Sequence, residues 1–227
     1  MSGRALALLL TLGPLLGCST READCDRVIG ALQAAPFPTP NPSAGAAEKR
    51  DFVGETERTA QRRGDGLDAL PILQAAEVQA LREACRSHLT AIAQAASELG
   101  LALGAAEQAS SDARASAEAM DSDLKALEER CKDSVCYALM ERVARAPEGD
   151  AASDARRLAD DVGAMSLEDP EAERARVTYA ADLERHAVAL AALTSAQAAT
   201  GKAKDALTDA MRRHNEDVEQ LNRVCER

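Results

Sequence analysis

Apolar and polar residues alternate with helical spacing over much of the chain. Between Leu89 and Cys131, apolar or small residues recur at alternating steps of three and four. This spacing places them on one face of a helix and is typical of a coiled-coil seam. We therefore predict a long helix over about residues 68–131, with Asp68 as its N-cap and Pro71 in its first turn. The seam positions are Leu89, Ile92, Ala96, Leu99, Leu103, Ala106, Ser110, Ala113, Ala117, Met120, Leu124, Leu127 and Cys131.

A second seam with the same alternation runs from Tyr179 to Cys225 and predicts a long helix over about residues 170–226. Asp169-Pro170 supplies an N-cap followed by proline at the first helical position. The middle of this seam is polar, and a parallel alanine stripe could share or replace it. The seam positions are Tyr179, Leu183, His186, Leu190, Leu193, Gln197, Thr200, Lys204, Leu207, Met211, His214, Val218, Leu221 and Cys225, and the stripe is Ala180, Ala187, Ala191 and Ala198.

Shorter segments fill the rest of the chain. An apolar face predicts a short amphipathic helix within residues 18–35. Residues 36–66 read as a Pro-rich and charged linker that ends in the helix-breaking run Gly64-Asp65-Gly66. Two short helices are predicted at residues 136–145 and 151–162, separated by a run that contains proline and glycine.

Residues 67–227 are therefore expected to form an all-α domain. The simplest assembly is a long antiparallel, coiled-coil-like hairpin of the two long helices, with residues 132–178 as a small helical tip. If Cys131 lies beside Tyr179 at the tip end of the seams, Cys85 lies beside Cys225 at the other end.

The alternative is a compact four- to five-helix bundle. Gly100 and Gly104 lie within the first long helix, and each glycine costs about 1 kcal/mol relative to alanine in a helix. A break at these glycines would shorten the helix and produce the bundle.

The first residues, MSGRALALLLTLGPLLGCST, follow a different pattern. Arg4 gives a basic start, an apolar run follows, and Leu15-Leu16-Gly17 leads directly into Cys18. This segment resembles a bacterial lipoprotein signal peptide with its lipobox, and the resemblance covers residues 1–18 only. It implies that residues 1–17 are removed and that Cys18 receives a diacylglyceryl group and an N-linked acyl chain such as palmitate. The alternative is an ordinary secretory signal with a chance cysteine.

The resemblance also implies a location. A lipidated chain would be anchored in the cell envelope, because two or three acyl chains hold a protein firmly at a membrane. The residue after the lipidated cysteine is Ser19. In bacterial lipoproteins an aspartate at this position directs retention at the inner membrane. In a double-membrane bacterium, Ser19 therefore implies the outer membrane, facing the periplasm.

Six cysteines less the lipidated one leave five in an oxidising compartment. Cys131 and Cys136 lie five residues apart where one helix ends and the next begins, and we predict a local disulfide there. The predicted register favours a second disulfide between Cys85 and Cys225, which leaves Cys25 as a free or intermolecular thiol. The alternative pairs Cys25 with Cys85 or Cys225 and would pin the N-terminal helix to the hairpin.

Charge and motifs exclude several classes of function. Removing residues 1–17 takes away one basic residue, so the mature net charge is −12, which argues against nucleic acid as a partner. No nucleophile-elbow, zinc-protease, P-loop or dinucleotide motif occurs, and no calcium loop. His88, His186 and His214 are expected to be solvated or at the seam edge, with no metal site, no cofactor and no catalytic residue. We therefore predict that the chain is not an enzyme.

The function expected from these patterns is that of a membrane-anchored lipoprotein acting as a structural or protein-interaction module. A seam with many alanines buries little apolar area, so a protein partner or self-association is expected. The alternative is a helical-bundle binding module that holds a polypeptide or lipid in an apolar groove lined by Leu99, Leu103, Leu190 and Leu193.

Overall fold

The computed structural model describes residues 15–131, 136–144 and 151–226, with side chains from residue 20 onward. These residues form six α-helices and no strand, so the all-α prediction is confirmed. The helices are α1 (Leu15–Gln33), α2 (Ala46–Asp68), α3 (Ala76–Arg130), α4 (Tyr137–Ala144), α5 (Ala152–Gly163) and α6 (Pro170–Cys225). The predicted signal residues 1–14 and the run Pro147-Glu148-Gly149-Asp150 lie outside the described residues.

The long helices α3 and α6 pack against each other, and α3 continues through Gly100 and Gly104. The break that the compact bundle required is therefore absent from α3. The chain divides into two compact units, and both long helices contribute to each. Unit 1 comprises the described residues up to Gly100 and from Lys202 onward, and unit 2 runs from Leu101 to Gly201.

In each unit α3 and α6 run antiparallel, but their register differs from the predicted one. Had Cys85 lain beside Cys225, His88 would face Asn222; instead, the His88 ring contacts Asp217 in unit 1. In unit 2, Ser116 contacts His186, where the predicted register places Leu124. The displacement from the predicted register is five residues at His88 (222 − 217) and eight at His186 (124 − 116), which is close to one heptad. A heptad pattern is compatible with registers about one heptad apart, so periodicity alone cannot choose between them.

The seams are buried at their ends and open in the middle. Leu89, Ile92, Leu207 and Leu221 are buried in unit 1. Towards the middle, Ser110, Gln197 and Lys204 are exposed, whereas the adjacent Ala109 and Ala203 are buried. Alanines therefore replace part of the predicted polar seam. The predicted alanine stripe anticipated this use of alanine but not all of the positions, because its members Ala191 and Ala198 are exposed.

Unit 1 corrects the prediction that residues 36–66 form a linker. Helix α2 runs through Gly64 and Gly66 to Asp68, and it packs against α1. Its buried face includes Val53 and Leu67. A Cβ at Gly66 would lie 3.6 Å from the Ala31 Cβ of α1, which is ordinary van der Waals contact. Burial of this face offsets the cost of about 1 kcal/mol per glycine that suggested a break.

The start of α3 also differs from prediction. The helix begins at Ala76, and Asp68 is the last residue of α2 rather than an N-cap. Pro71 lies in the connection between the two helices, and the guanidinium of Arg82 donates hydrogen bonds to the carbonyl oxygens of Leu67, Leu70 and Pro71. The Leu67 carbonyl also accepts a hydrogen bond from the backbone N–H of Leu70 (3.3 Å), so Arg82 adds to the bonding of this turn and ties it to α3.

Unit 2 follows the prediction closely. Asp169 caps α6, because its Oδ1 accepts hydrogen bonds from the backbone N–H groups of Glu171 (2.9 Å) and Ala172 (2.7 Å). Helices α4 and α5 pack against the ends of the long helices. The buried core consists of Leu127, Cys131, Cys136, Leu139, Ala159, Val162, Ala172, Tyr179 and Leu183.

By length and composition, α3 contains a stretch apolar enough to cross a membrane. The same composition is found in core helices of proteins in water. About 28% of that stretch is buried inside the structure, and α3 shares buried faces with α6 in both units.

Candidate functional site

Helix α1 is held to the rest of unit 1 through two consecutive residues, Asp24 and Cys25. Asp24 is 2% exposed, and its Oδ2 accepts hydrogen bonds from the backbone N–H groups of Gln74 (2.7 Å) and Ala75 (2.9 Å). Gln74 and Ala75 are the two residues directly before α3, which begins at Ala76. Asp24 therefore caps the turn that leads into α3, with its negative charge near the positive end of the α3 dipole.

Cys25 forms a disulfide with Cys225, and their Cα atoms are 5.8 Å apart. This corrects the preferred prediction of a Cys85–Cys225 disulfide. The pairing is the alternative in which the N-terminal helix is pinned to the hairpin. The actual register places Cys85 nearer to Asp217 than to the end of α6, which explains why the two predicted partners do not meet.

Among the cysteines whose side chains the structure describes, Cys85 rather than Cys25 is therefore the free one, and its side chain is fully buried. Burial, followed by the nearby negative charge of Asp217, raises the pKa of the Cys85 thiol to about 12. The thiolate is the nucleophilic and metal-binding form of cysteine. Cys85 consequently stays protonated, and the neighbouring His88 and Asp217 do not make it a catalytic thiol.

Residues 34–45 connect α1 to α2, and within unit 1 they contact α2 and α6 through Phe37. The Phe37 ring meets the ring of His214 edge-on, with centroids 6.1 Å apart and planes at 79°. The guanidinium carbon of Arg63 lies 4.4 Å from the centroid of the Phe37 ring, a cation–π geometry. Arg63 also donates a hydrogen bond from Nε to the carbonyl oxygen of Ala35 at 2.6 Å.

His214 is the second unusual group at this place. It is 2% exposed, and neither ring nitrogen has a hydrogen-bond partner among the described residues. Burial lowers the pKa of His214 to about 4, with further lowering by the charges of Arg63 and His88 and an opposing effect of Asp217. The ring is therefore neutral in the folded protein at neutral pH.

Of the three histidines, His88 and His186 are half-buried between the long helices, as expected for the seam edge, whereas His214 is buried. The Nδ1 atom of His88 lies 2.5 Å from Oδ2 of Asp217, and Nδ1 of His186 lies 2.9 Å from the Ser116 hydroxyl. His214 is buried rather than solvated, and it lies close enough to His88 for their charges to interact. This proximity follows from the displacement of α6 along α3 relative to the predicted register. Among the described residues, no group of three or more His, Cys, Asp or Glu side chains could hold a metal ion.

Unit 2 contains the second disulfide and a buried arginine. Cys131 and Cys136 are joined, the pair that their spacing predicts. Arg176 is 6% exposed and donates hydrogen bonds from Nη1 to the carbonyl oxygens of Val162 (2.8 Å) and Gly163 (3.1 Å).

The carboxylate of Glu173 completes this arrangement. It accepts hydrogen bonds from Nε and Nη2 of Arg176 at 2.8 and 2.6 Å and from the backbone N–H of Leu167 at 2.9 Å. The bonds from Arg176, followed by that from Leu167, lower the pKa of Glu173 to about 2. Arg176 and Glu173 therefore connect the end of α5, the following turn and the first turns of α6.

The remaining predicted site residues are dispersed. Cys18 lies within α1, in the part whose side chains are not described. Of the predicted groove residues, Leu99 is buried in unit 1, whereas Leu103, Leu190 and Leu193 are half-buried in unit 2. The predicted tip is described in part, and it carries the exposed ring of Tyr137.

Sequence reasoning missed Asp24, Phe37, Arg63 and Arg82. The sequence did contain a signal for Phe37. It is one of only two phenylalanines, and the residues around it are prolines and small or polar residues. No local signal marks Asp24 or Arg82, since each satisfies backbone groups of a different helix. No protein-family model, curated protein or solved structure matches the chain.

Proposed function

We propose that this protein is a lipid-anchored protein of the cell envelope that acts as a structural or protein-interaction module. The observation that carries the proposal is the Cys25–Cys225 disulfide, seven residues beyond the predicted lipidation site Cys18. A buried disulfide suits an oxidising compartment such as the periplasm. A lipid on Cys18 would sit at the start of a helix that is covalently tied to the end of α6.

The two attachments of α1 support a mechanical role for this helix. The disulfide ties α1 to α6, and the carboxylate of Asp24 ties it to the start of α3. A force on the anchor would therefore reach both long helices in unit 1 rather than a flexible tether. The mature net charge of −12 disfavours binding to anionic lipid, so the acyl chains would carry the membrane attachment.

The first test of the proposal is the chemical state of Cys18. We expect the N-terminal peptide of the protein from bacterial membranes to begin at Cys18 and to carry diacylglyceryl and acyl groups in its mass spectrum. The Cys18→Ala variant should lose the lipid and leave the membrane fraction. The matched control is Cys85→Ala, which removes a thiol elsewhere and should remain lipidated. An unmodified Cys18 in the membrane fraction would contradict the proposal.

The second test concerns partners. Tyr137 is 72% exposed beside the unit 2 disulfide, and Val188 is 54% exposed on α6. Photo-crosslinking residues at these two positions should capture a protein, or a second copy of the chain, in intact cells. A photo-crosslinking residue at the exposed Glu219 of unit 1 is the control surface. Equal capture at all three positions would contradict a specific interaction surface in unit 2.

A second candidate, a module that binds a polypeptide or lipid, is favoured by the leucines of unit 2. Leu103, Leu190 and Leu193 are half-buried, and Leu101 is 75% exposed. If this candidate holds, Leu190→Asp should abolish capture of a copurifying lipid or peptide, while capture at Tyr137 should be unchanged.

A further inference from the structure

The connection between α1 and α2 is held against unit 1 by an aromatic contact with an ionisable partner. Phe37 packs edge-on against His214 of α6 and face-on beneath the guanidinium of Arg63 of α2. Arg63 also bonds the carbonyl oxygen of Ala35 in the same connection. We call Phe37, Arg63 and His214 the clasp.

The surroundings of His214 disfavour a positive charge. The ring is 2% exposed, and no described residue forms a hydrogen bond with either of its nitrogens. Arg63 from α2 and His88 from α3 add positive charge near it, whereas Asp217 from α6 adds negative charge. Oδ2 of Asp217 is engaged by His88, and the Cys85 thiol is neutral at physiological pH.

We propose that the clasp is an acid-sensitive latch. It holds residues 34–45 against α2 and α6 at neutral pH and releases them when His214 is protonated. The latch goes beyond the proposed anchoring function, because it controls the segment that joins the anchored helix α1 to α2.

The physical reason is that an imidazolium needs two hydrogen-bond acceptors or water, and the clasp supplies neither. Protonation places a charge against Arg63 in a site that excludes water, and a buried, unpaired charge is costly. Moving the Phe37 ring aside admits water to His214 at the lowest structural cost, because residues 34–45 belong to no helix. The low pKa of His214, about 4, is consistent with a closed clasp at neutral pH.

The release is local rather than global. Acid does not break the Cys25–Cys225 disulfide, so α1 stays attached to α6 after the clasp opens. The cation–π contact of Arg63 with Phe37 does not depend on the protonation of His214. The clasp therefore opens only when the free-energy cost of burying the His214 imidazolium exceeds the free energy of that contact.

The experiment uses the mature chain with both disulfides formed. The protein has no tryptophan, so Phe37→Trp introduces a single fluorophore at the clasp. We expect its emission to move to longer wavelength, reversibly, as the pH falls from neutral towards about 4, while far-UV circular dichroism stays unchanged. In the double variant Phe37→Trp/His214→Leu the shift should be lost. In Phe37→Trp/His186→Gln, which removes the unit 2 histidine, the shift should remain.

A shift that persists without His214, or that accompanies loss of helix, would overturn the latch. If His214→Leu does not fold, nuclear magnetic resonance of the unsubstituted chain decides. The Phe37–His214 nuclear Overhauser contacts should then vanish over the pH range in which the His214 ring titrates, and their persistence in the protonated state would overturn the proposal. A failed lipidation test leaves this outcome unaffected, because the clasp is measured without reference to Cys18.

Discussion

Unit 1 and unit 2 use the same three stabilising devices over very different distances in sequence. Each has a disulfide, an aspartate that caps the N-terminus of a long helix, and an arginine that bonds the last carbonyl groups of the preceding helix. In unit 2 the disulfide spans 5 residues and Asp169 caps the helix that follows it directly. In unit 1 the disulfide spans 200 residues, and Asp24 caps a helix that begins some 50 residues later.

The difference means that unit 2 can be organised by local sequence, whereas unit 1 needs distant parts of the chain to meet. Closing a longer loop removes more conformational entropy from the unfolded chain. Unit 1 should therefore depend more on its disulfide than unit 2 does.

The largest expected effect follows from this comparison. Cys25→Ala should lower the free energy of unfolding of unit 1 by roughly 5 kcal/mol, and Cys136→Ala should lower that of unit 2 by about 2 kcal/mol, in the chain-entropy model. Urea unfolding followed by hydrogen exchange, which resolves the two units, measures both. Equal losses in the two variants would show that loop length does not govern the contribution of these disulfides.

The next largest effect is expected from acid, which should destabilise unit 1 at a higher pH than unit 2. The folded pKa of His214, about 4, is below the unfolded value of 6.5, so only the unfolded state binds a proton between these values. Stability from neutral His214 is thus present above about pH 6.5 and falls as the pH approaches 4, by up to about 3 kcal/mol.

Glu173 in unit 2 responds in a lower range. Its pKa is lowered from 4.5 to about 2, so its contribution is present above 4.5 and falls as the pH drops towards 2. Hydrogen exchange across this range should show unit 1 weakening first. Simultaneous weakening of both units above pH 4.5 would contradict the assignment to His214.

Removal of the capping arginines should have a smaller effect. Arg176→Met should destabilise unit 2 by about 2 kcal/mol, because it removes the donors that Arg176 supplies to the carbonyl groups of Val162 and Gly163, although Val162 keeps the backbone N–H of Met165. Arg82→Met should cost unit 1 about 1–2 kcal/mol, since water can reach its more exposed carbonyl partners. Thermal unfolding by circular dichroism compares the variants, and a larger loss for Arg82→Met would reverse the ranking.

For the two aspartate caps we expect effects close to that of Arg82→Met. Asp24→Ala should cost about 2 kcal/mol and Asp169→Ala about 1 kcal/mol, because Asp24 is buried and its bonds join two helices. Asp24→Asn keeps one oxygen acceptor and should recover part of the loss in urea unfolding. No recovery would indicate that the negative charge, rather than the hydrogen bonds, matters at the start of α3.

The predictable parts of the fold are those with a local cause. Asp169-Pro170 identified the start of α6, and the spacing of Cys131 and Cys136 identified the unit 2 disulfide. Seven of the predicted leucine and isoleucine seam positions are buried and four are half-buried; the buried ones are Leu89, Ile92, Leu99, Leu127, Leu183, Leu207 and Leu221, and the half-buried ones are Leu103, Leu124, Leu190 and Leu193. Lipidation of Cys18, the membrane of residence and the partner remain predictions.

The parts that were missed have distant causes. Asp68 resembles an N-cap in sequence, yet it ends α2 because the buried face of α2 outweighs the two glycines. Cys85 was paired wrongly because a heptad repeat is compatible with more than one register.

The sequence by itself determined an all-α protein with two long helices, because helical periodicity and capping act within a few residues. Only the tertiary structure decided the register of α3 and α6, the Cys25–Cys225 pairing and the burial of His214 against Phe37. These depend on contacts between residues far apart in the chain. An alanine-rich seam distinguishes poorly between registers, so the choice falls to a few distant contacts such as the disulfide and the Asp24 cap.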